Sequence, residues 1–443
     1  MCGHSYTSVS PRFDAAAENF KTGINRFKPE CLSKRLAGNN IDLNTHKGKK
    51  AVADLSKITC IEDLRVVAKR RVPRMFYDYA DSGSYTQGTY RANEDDFQKI
   101  KLRQRVAVNM EGRSTRSTMI GHDVAMPVAI APTGLTGMQH ADGEILGARA
   151  AKAFGIPFTL STMSICSLED IAQHTDNHPF WFQLYVMRDK AFMERLINRA
   201  KAANCSALVV TLDLQILGQR HKDIKNGLST PPKPTIANML NLATKPHWCM
   251  GMLGTKRRTF GNIVGHVDGV GDVSSLSSWT ADQFDPTLNW SDVEWIKKLW
   301  GGKIILKGVM DAEDARLAAQ SGADALVVSN HGGRQLDGAP SSIEALPSIA
   351  EAAGKDIEVW MDGGIRSGQD VLKARALGAQ GTMIGRSFLY GLGAYGQEGV
   401  SKALQIIQKE LDVTMAFCGH TNINNVGKEI LLPGTYPKPF EAL

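Results

Sequence analysis

Eight short runs of Val, Ile, Leu, Met and aromatic residues constrain this chain more than any other feature. They are VAMPVAIAP (124–132), PFTLST (157–162), WFQLYV (181–186), ALVVTLD (207–213), KIILKGV (303–309), ALVVSN (325–330), EVWMDGG (358–364) and GTMIGR (381–386). Each has strand length and is almost continuously apolar, as a strand buried on both faces must be. Between most of them lies a helix-like segment, such as GEILGARAAKAFG, KAFMERLINRAKAAN, AEDARLAAQSGA or GQDVLKARALGA, stopped by Gly or Asn. Strands alternating with helices predict parallel βα units. Eight such units in about 270 residues suit an α/β fold of the (β/α)8 TIM barrel type, with a doubly wound sheet as the alternative.

The segments outside this rhythm set the boundaries. Residues 1–55 are polar and carry nine Lys/Arg against five Asp/Glu, which reads as a poorly ordered or loosely docked N-terminal extension. A mitochondrial targeting peptide is the other reading, and the acidic residues count against it. CIEDLRVVAKRRV (60–72) has helical spacing and leads into the aromatic stretch PRMFYDYADSGSYT, an N-terminal helical segment before the barrel. The barrel region spans 56–425, and 426–443 is a C-terminal tail. About 90 residues separate Asp213 from Lys303, where a helix and two loops need roughly 20–30. NWSDVEWIKKLW (289–300) supplies that helix, with Asn289 or Ser291 at its cap, so 215–288 is a long insertion after strand 4. Because it leaves a strand C-terminus, it is placed to cover the active face. It is either a lid or subunit-contact loop, or a peripheral membrane contact through IANMLNLATKPHWCMGMLG and the basic Lys256, Arg257 and Arg258.

Composition removes other classes. The seven cysteines are odd in number and never in CxxC spacing, which argues against a metal or disulfide framework. No apolar run approaches the roughly 18–20 residues of a membrane span. The net charge of +7 suits anionic substrates or an anionic membrane surface. No dense Lys/Arg block interleaved with aromatics speaks for nucleic acid.

Active sites of such barrels sit at the C-terminal ends of the strands. There the sequence presents Pro132, Thr133 and Gly134; Ser161; Gln183 and Tyr185; Thr211 and Asp213, then Arg220; Lys307; Ser329, His331 and Arg334; Asp362, Gly364 and Arg366; and Gly385 and Arg386. DGGIRSG and IGRS combine glycines with arginines after strands 7 and 8, the usual phosphate site of this barrel. Gln183, Thr211 and Ser161 can hydrogen-bond a ring system, and Lys307 puts a cation beside a ring that becomes anionic on reduction. Arg220 and Arg334 can clamp a carboxylate, and His331 is the acid–base group, with Asp213 to orient it. Tyr79 and Tyr185 can hydrogen-bond substrate oxygens.

SNHGGRQLDG, together with YDYADSG, IAPTG, WFQLYV, ILKGV, DGGIRSG and IGR, closely resembles the FMN-dependent L-2-hydroxy-acid oxidases and dehydrogenases. The likeness runs in order from about residue 56 to about 425, and GLTGM, GIPFTLST and the insertion put it nearest the bacterial respiratory L-lactate dehydrogenases. The resemblance implies FMN as cofactor and no metal. It implies His331 as catalytic base with Asp213 as partner, Arg334 and Arg220 on the substrate carboxylate, and Tyr79 and Tyr185 on the substrate. Lys307 would stabilise reduced FMN, and Pro132, Thr133, Gly134, Ser161, Gln183, Thr211, Ser329, Asp362, Gly364, Arg366, Gly385 and Arg386 would contact flavin or phosphate.

The implied reaction oxidises an L-2-hydroxy acid, nearest L-lactate to pyruvate. Residues 1–55 are too short for the fused haem domain of the yeast-type enzyme and lack its HPGG motif, so the acceptor would be a quinone or a separate cytochrome. The alternative is an oxygen-dependent oxidase of the glycolate or lactate type that makes hydrogen peroxide. Gly134, where several oxidases carry Ala, leans toward the dehydrogenase; Met163, where glycolate oxidase has Trp, leaves substrate chain length open. A related FMN barrel such as type 2 isopentenyl diphosphate isomerase would not need the His331, Arg334 and Arg220 set, and a non-catalytic phosphate-binding barrel would not need His331 with Asp213. The resemblance also implies a homotetramer, cytoplasmic or peripheral on the inner face of the membrane.

Overall fold

The apolar runs become parallel strands around a single barrel in the computed structural model, which describes residues 55–228, 235–267 and 283–440. The extension read over 1–55 lies outside the described residues except for Leu55. The strands are β1 (Ser117–Met119), β2 (His122–Val124), β3 (Val128–Ile130), β4 (Thr159–Ser161), β5 (Phe180–Tyr185), β6 (Cys205–Thr211), β7 (Lys303–Val309), β8 (Ala325–Val328), β9 (Glu358–Asp362) and β10 (Gly381–Ile384). β1 and β2 form an antiparallel hairpin; the other eight run in the order β3-β10-β9-β8-β7-β6-β5-β4. A bridge between Ile130 and Phe158 joins the two ends of that order, with Ile130 N donating to Pro157 O at 2.9 Å. This closure decides for the barrel, since a doubly wound sheet would leave two open edges. The run 124–132 holds two strands, not one. Pro127 has no N–H to give a ladder, so the chain breaks there between β2 and β3.

Strand periodicity sorts the side chains into two cores. Phe182, Leu184, Leu208, Val210, Leu306 and Leu326 face outward into the large core shared with the helices. Trp181, Val209, Ile305, Val327, Trp360 and Met383 fill the barrel interior with Met119 and Ile120 of the hairpin. Trp181 and Trp360 stack there, ring centroids 5.3 Å apart. The expected helices form at Gly143–Phe154, Lys190–Ala202, Ala312–Gln320 and Gly368–Ala376. The helix after the insertion is Trp290–Trp300, and its cap is Asn289, whose Oδ1 accepts from Ser291 N at 2.9 Å. The chain after residue 425 packs onto the molecule: Arg103 N donates to Ile430 O at 2.7 Å, and Ile430 and Leu431 are buried.

Candidate active site

Two residues beyond the carbon-filled layer, the same inward positions turn polar. Trp181 gives way to Gln183 and Tyr185, Val209 to Thr211 and Asp213, Ile305 to Lys307, Val327 to Ser329 and Trp360 to Asp362. Above them opens a cavity of about 540 Å³. Of the sequence-selected residues, Tyr79, Pro132, Thr133, Gly134, Tyr185, Arg220, Lys307, His331, Arg334, Asp362, Gly364, Arg366, Gly385 and Arg386 line it. Ser161, Gln183, Thr211, Asp213 and Ser329 stand one layer behind, tied to those that do. Ser161 Oγ accepts from the N–H of Met163, a cavity-lining residue, at 3.1 Å and donates to Gln183 Oε1 at 3.1 Å, and Thr211 is in register with Tyr185 and Lys307.

His331 Nδ1 lies 3.0 Å from Asp213 Oδ1. Burial opposes ionisation of Asp213, but the charge and hydrogen bond of His331, with Lys307 nearby, hold its carboxyl below the ordinary value. His331 itself has φ 57°, and Gly332 and Gly333 follow at 65° and 70°. Three successive left-handed residues turn the chain sharply, and only the histidine is strained by it. The glycines permit close approach: a Cβ on Gly333 would stand 2.5 Å from Tyr90 N, and one on Gly332 2.7 Å from Arg386 Nη1. Beneath the histidine, Ser329 Oγ accepts from His331 N at 3.1 Å and from Lys307 Nζ at 2.8 Å. Lys307 is buried, which opposes its charge, but Asp362 at 2.9 Å and Asp213 raise its pKa, so it stays an ammonium.

Arg334 and Arg220 flank the cavity from the loop after β8 and from the insertion. Arg334 Nη1 donates to Tyr79 O and to Ser82 O, and the guanidinium lies 4.5 Å from the Tyr79 ring centroid. Burial and the charge of Arg220 push the pKa of Arg334 down to about 10, leaving it cationic at neutral pH. Tyr185 packs edge-on against Phe284 of the insertion, and burial raises the pKa of its hydroxyl.

The phosphate-type end has a different construction. Gly363 and Gly364 have φ 93° and 83°, and a Cβ on Gly364 would stand 1.8 Å from Asn93 O, so only glycine fits. A helix begins at Arg386, next to Gly385, and both residues line the cavity, so this end has a helix start of the kind that favours an anion. Arg386 is held from behind by the carbonyls of Ala80, Gly332 and Ser82, and Arg366 by Glu94 at 2.7 Å. Sequence reasoning did not reach the support for these arginines. They lie over the rings of Tyr90 and Tyr390, whose hydroxyls both donate to the buried Asp81. The bracketing of Asp81 by Tyr77, Tyr90 and a distant Tyr390 leaves no local pattern to read.

The insertion contributes more of the wall than its sequence suggested. Leu217, Asp223, Leu228, Phe260 and Phe284 all line the cavity. Asn262 is fully buried and fastens the segment beside β4, donating to Ser161 O at 3.3 Å and to Ser164 Oγ at 3.0 Å. Arg257 bridges to Asp142 at 3.1 Å and Asp170 at 2.7 Å. Asp223 was legible only as the residue three after Arg220.

Polar atoms at and just behind the cavity floor are left without partners inside the protein. Gln183 Nε2, Thr211 Oγ1 and Asp362 Oδ1 are buried without a hydrogen-bond partner in the protein, a costly state unless a ligand supplies the partners. Donors, acceptors and a cation around the floor therefore suit a polar ligand, and glycines and a helix start suit an anion at one end. With an acid–base pair and an arginine pair opposite, the site defines a flavin-type oxidoreductase of small organic acids. Comparison with known proteins agrees: residues 68–433 match the model of the FMN-dependent dehydrogenase family, and the chain belongs to that family. L-lactate dehydrogenase of Pseudomonas syringae pv. syringae (strain B728a) is 44% identical over 377 residues, 85% of this chain and 98% of that protein. L-lactate dehydrogenase of Caulobacter sp. (strain K31) is 44% identical over 376 residues, 84% and 98% respectively. The solved structure of the monotopic membrane protein (S)-mandelate dehydrogenase superposes with a TM-score of 0.81 at 33% identity, over 85% of this chain and 99% of that one. The protein is thus an FMN-dependent hydroxy-acid oxidoreductase. The phosphate would meet Gly364, Gly385, Arg366 and Arg386, and the ring Gln183, Thr211 and Lys307.

Proposed function

We propose that the protein oxidises L-lactate to pyruvate and passes the electrons to a membrane quinone or a cytochrome. The observation that carries this reading is the His331–Asp213 pair at 3.0 Å, facing a cavity that Arg220 and Arg334 also line. The arginines bind the carboxylate and fix the C2 hydroxyl relative to His331. Asp213 occupies Nδ1, so Nε2 takes the hydroxyl proton. The Asp213 carboxylate then stabilises the imidazolium. Tyr79 and Tyr185 supply hydroxyls to the substrate oxygens. FMN, when bound, would supply the two-electron acceptor that the oxidation requires. Lys307 keeps a positive charge at the cavity floor as negative charge develops there.

The acceptor reading rests on the insertion. Its helices Ile236–Ala243 and Pro246–Gly254 expose Ile236, Met239, Leu240, Met250 and Leu253, with Ile236 82% accessible. These residues and the exposed Lys256 suit the interface of an anionic membrane, on the cytoplasmic side, whereas Arg257 and Arg258 of the same basic cluster are engaged within the protein, on Asp142 and Asp170 and on the carbonyls of Met252 and Leu253. Among the described residues no helix is long and apolar enough to cross one. The same reading takes the molecule as a homotetramer, to be checked by light scattering.

One anaerobic titration tests the reaction. Holoenzyme is mixed with L-lactate, glycolate or L-mandelate, flavin bleaching is followed, and re-oxidation by air is compared with re-oxidation by a quinone. L-lactate should bleach the flavin fastest, and the quinone should restore it faster than air. No bleaching by any of these acids would overturn the reading. Fast recovery in air would make the protein an oxidase, and absence from sedimented anionic vesicles would remove the membrane contact.

A further inference from the structure

Between the two arginines sits a carboxylate that belongs to the protein. Asp223 Oδ2 lies 3.6 Å from Arg220 Nη1 and 4.0 Å from Arg334 Nη2. Both separations exceed hydrogen-bond length. Asp223 Oδ1 and Arg334 Nη2 have no hydrogen-bond partner within the protein, although both atoms are buried. The residue lines the cavity and is 8% exposed. Its place is built in. It is on the short helix His221–Lys225, where Lys222 Nζ donates to Asp81 O at 3.1 Å. Asn226, just after that helix, donates to Asp78 Oδ2 at 2.8 Å and accepts at its carbonyl from Asn238 at 2.7 Å.

We propose that Asp223 is a charge-balancing residue of the carboxylate clamp, one that limits how tightly the arginine pair holds a bound acid. The inference rests on the reading of Arg220 and Arg334 as that clamp. Two guanidiniums and one carboxylate leave the empty clamp with one net positive charge, and a bound monocarboxylate brings it to zero. Without Asp223 the same buried space would hold two positive charges, and every small carboxylate, product included, would bind more strongly. Asp223 is not needed as an anchor. Arg334 is already fixed by Tyr79 O, Ser82 O and the Tyr79 ring, and Arg220 Nε approaches Arg334 O at 3.5 Å. The long separations to Asp223 leave arginine donors for the substrate. Burial, the dominant influence, and Asp78 push the Asp223 carboxyl above its ordinary value against the pull of Arg334 and Arg220, as expected of an acid held near cations without close pairing.

The test is calorimetric binding of pyruvate and of acetate to the oxidised holoenzyme. Asp223→Asn should tighten both by about tenfold, the order expected when one charge–charge interaction leaves a partly desolvated site. Asp223→Ser, smaller and equally neutral, should shift affinity the same way and stands in if the Asn variant does not fold. Asp223→Glu should stay near the wild type. Disruption of structure alone would weaken binding, so a gain in affinity isolates the charge. Unchanged or weaker binding in the neutral variants, with wild-type binding intact and abolished by Arg334→Gln, would overturn the role of Asp223 and spare the clamp. Wild-type binding that survives Arg334→Gln would overturn the clamp itself.

Discussion

The two ends of the barrel interior are built from the same strands and obey opposite rules. At the lower end Trp181, Trp360, Ile305, Val209 and the hairpin residues Met119 and Ile120 pack carbon against carbon. Two residues further along, Gln183, Lys307, Thr211 and Asp362 carry buried polar groups, three with atoms unpartnered within the protein. The lower end holds the strands together, and the upper end accepts unmet hydrogen bonds that a ligand can complete. The contrast separates stability from chemistry over one strand repeat, and substitutions at either end can break it.

The largest effect belongs at the upper end. His331→Ala should retain FMN but slow anaerobic flavin reduction by L-lactate by about 10²–10⁴-fold, the range of a lost general base. Substantial residual reduction in stopped-flow traces would refute the base assignment. At the lower end Trp360→Ala removes half of the stacked pair and should cost about 3–5 kcal/mol of stability. That loss would appear in denaturant unfolding, while the KM for lactate of the folded fraction stays put; a large KM change would mean the ends are not separable.

Asp81 joins the two behaviours, because it supports the phosphate-type end from behind. Burial opposes its ionisation, yet the hydroxyls of Tyr390, Tyr77 and Tyr90 and the charge of Arg65 hold its carboxyl well below the ordinary range. A depressed folded value means the stabilisation is present above the ordinary aspartate value of about 4 and is lost as pH falls below it. Asp81→Asn should therefore cost about 3 kcal/mol near neutral pH and show a smaller further loss on acidification. Parallel melting curves of variant and wild type between about pH 5 and pH 3 would contradict this. The smallest effect is expected at Gly134, where a Cβ would stand 3.2 Å from the Tyr79 hydroxyl and 3.3 Å from Met163 Cβ. Gly134→Ala should raise the KM for lactate several-fold, about 1 kcal/mol, with flavin content unchanged. An unaltered KM would place the substrate elsewhere in the cavity.

Residues whose placement around the cavity follows from position along the barrel were legible in advance. Lys307, Gln183, Thr211 and Asp362 each occupy an inward position at a strand's C-terminal end, and His331 follows in the turn just after β8. Residues whose role comes from a partner far along the chain were not. Tyr390 reaches Asp81 across 309 positions, and Asn262 reaches Ser164 across 98. The tail read from residue 426 escaped for the same reason, since its docking on Leu102 and Arg103 is a long-range bridge.

The alternation of apolar runs and helical segments determined a parallel α/β chain, because strands buried on both faces must be almost wholly apolar and parallel returns need helical crossovers. It also marked which end of each strand bears the polar residues. Tertiary structure alone decided closure, through one bridge between Ile130 and Phe158. It also set the left-handed turn at His331 and brought Asp223 between two arginines. Periodicity is a local property and can be read from neighbours. Closure, strain and charge balance arise between groups that only the folded chain brings within a few ångströms of each other.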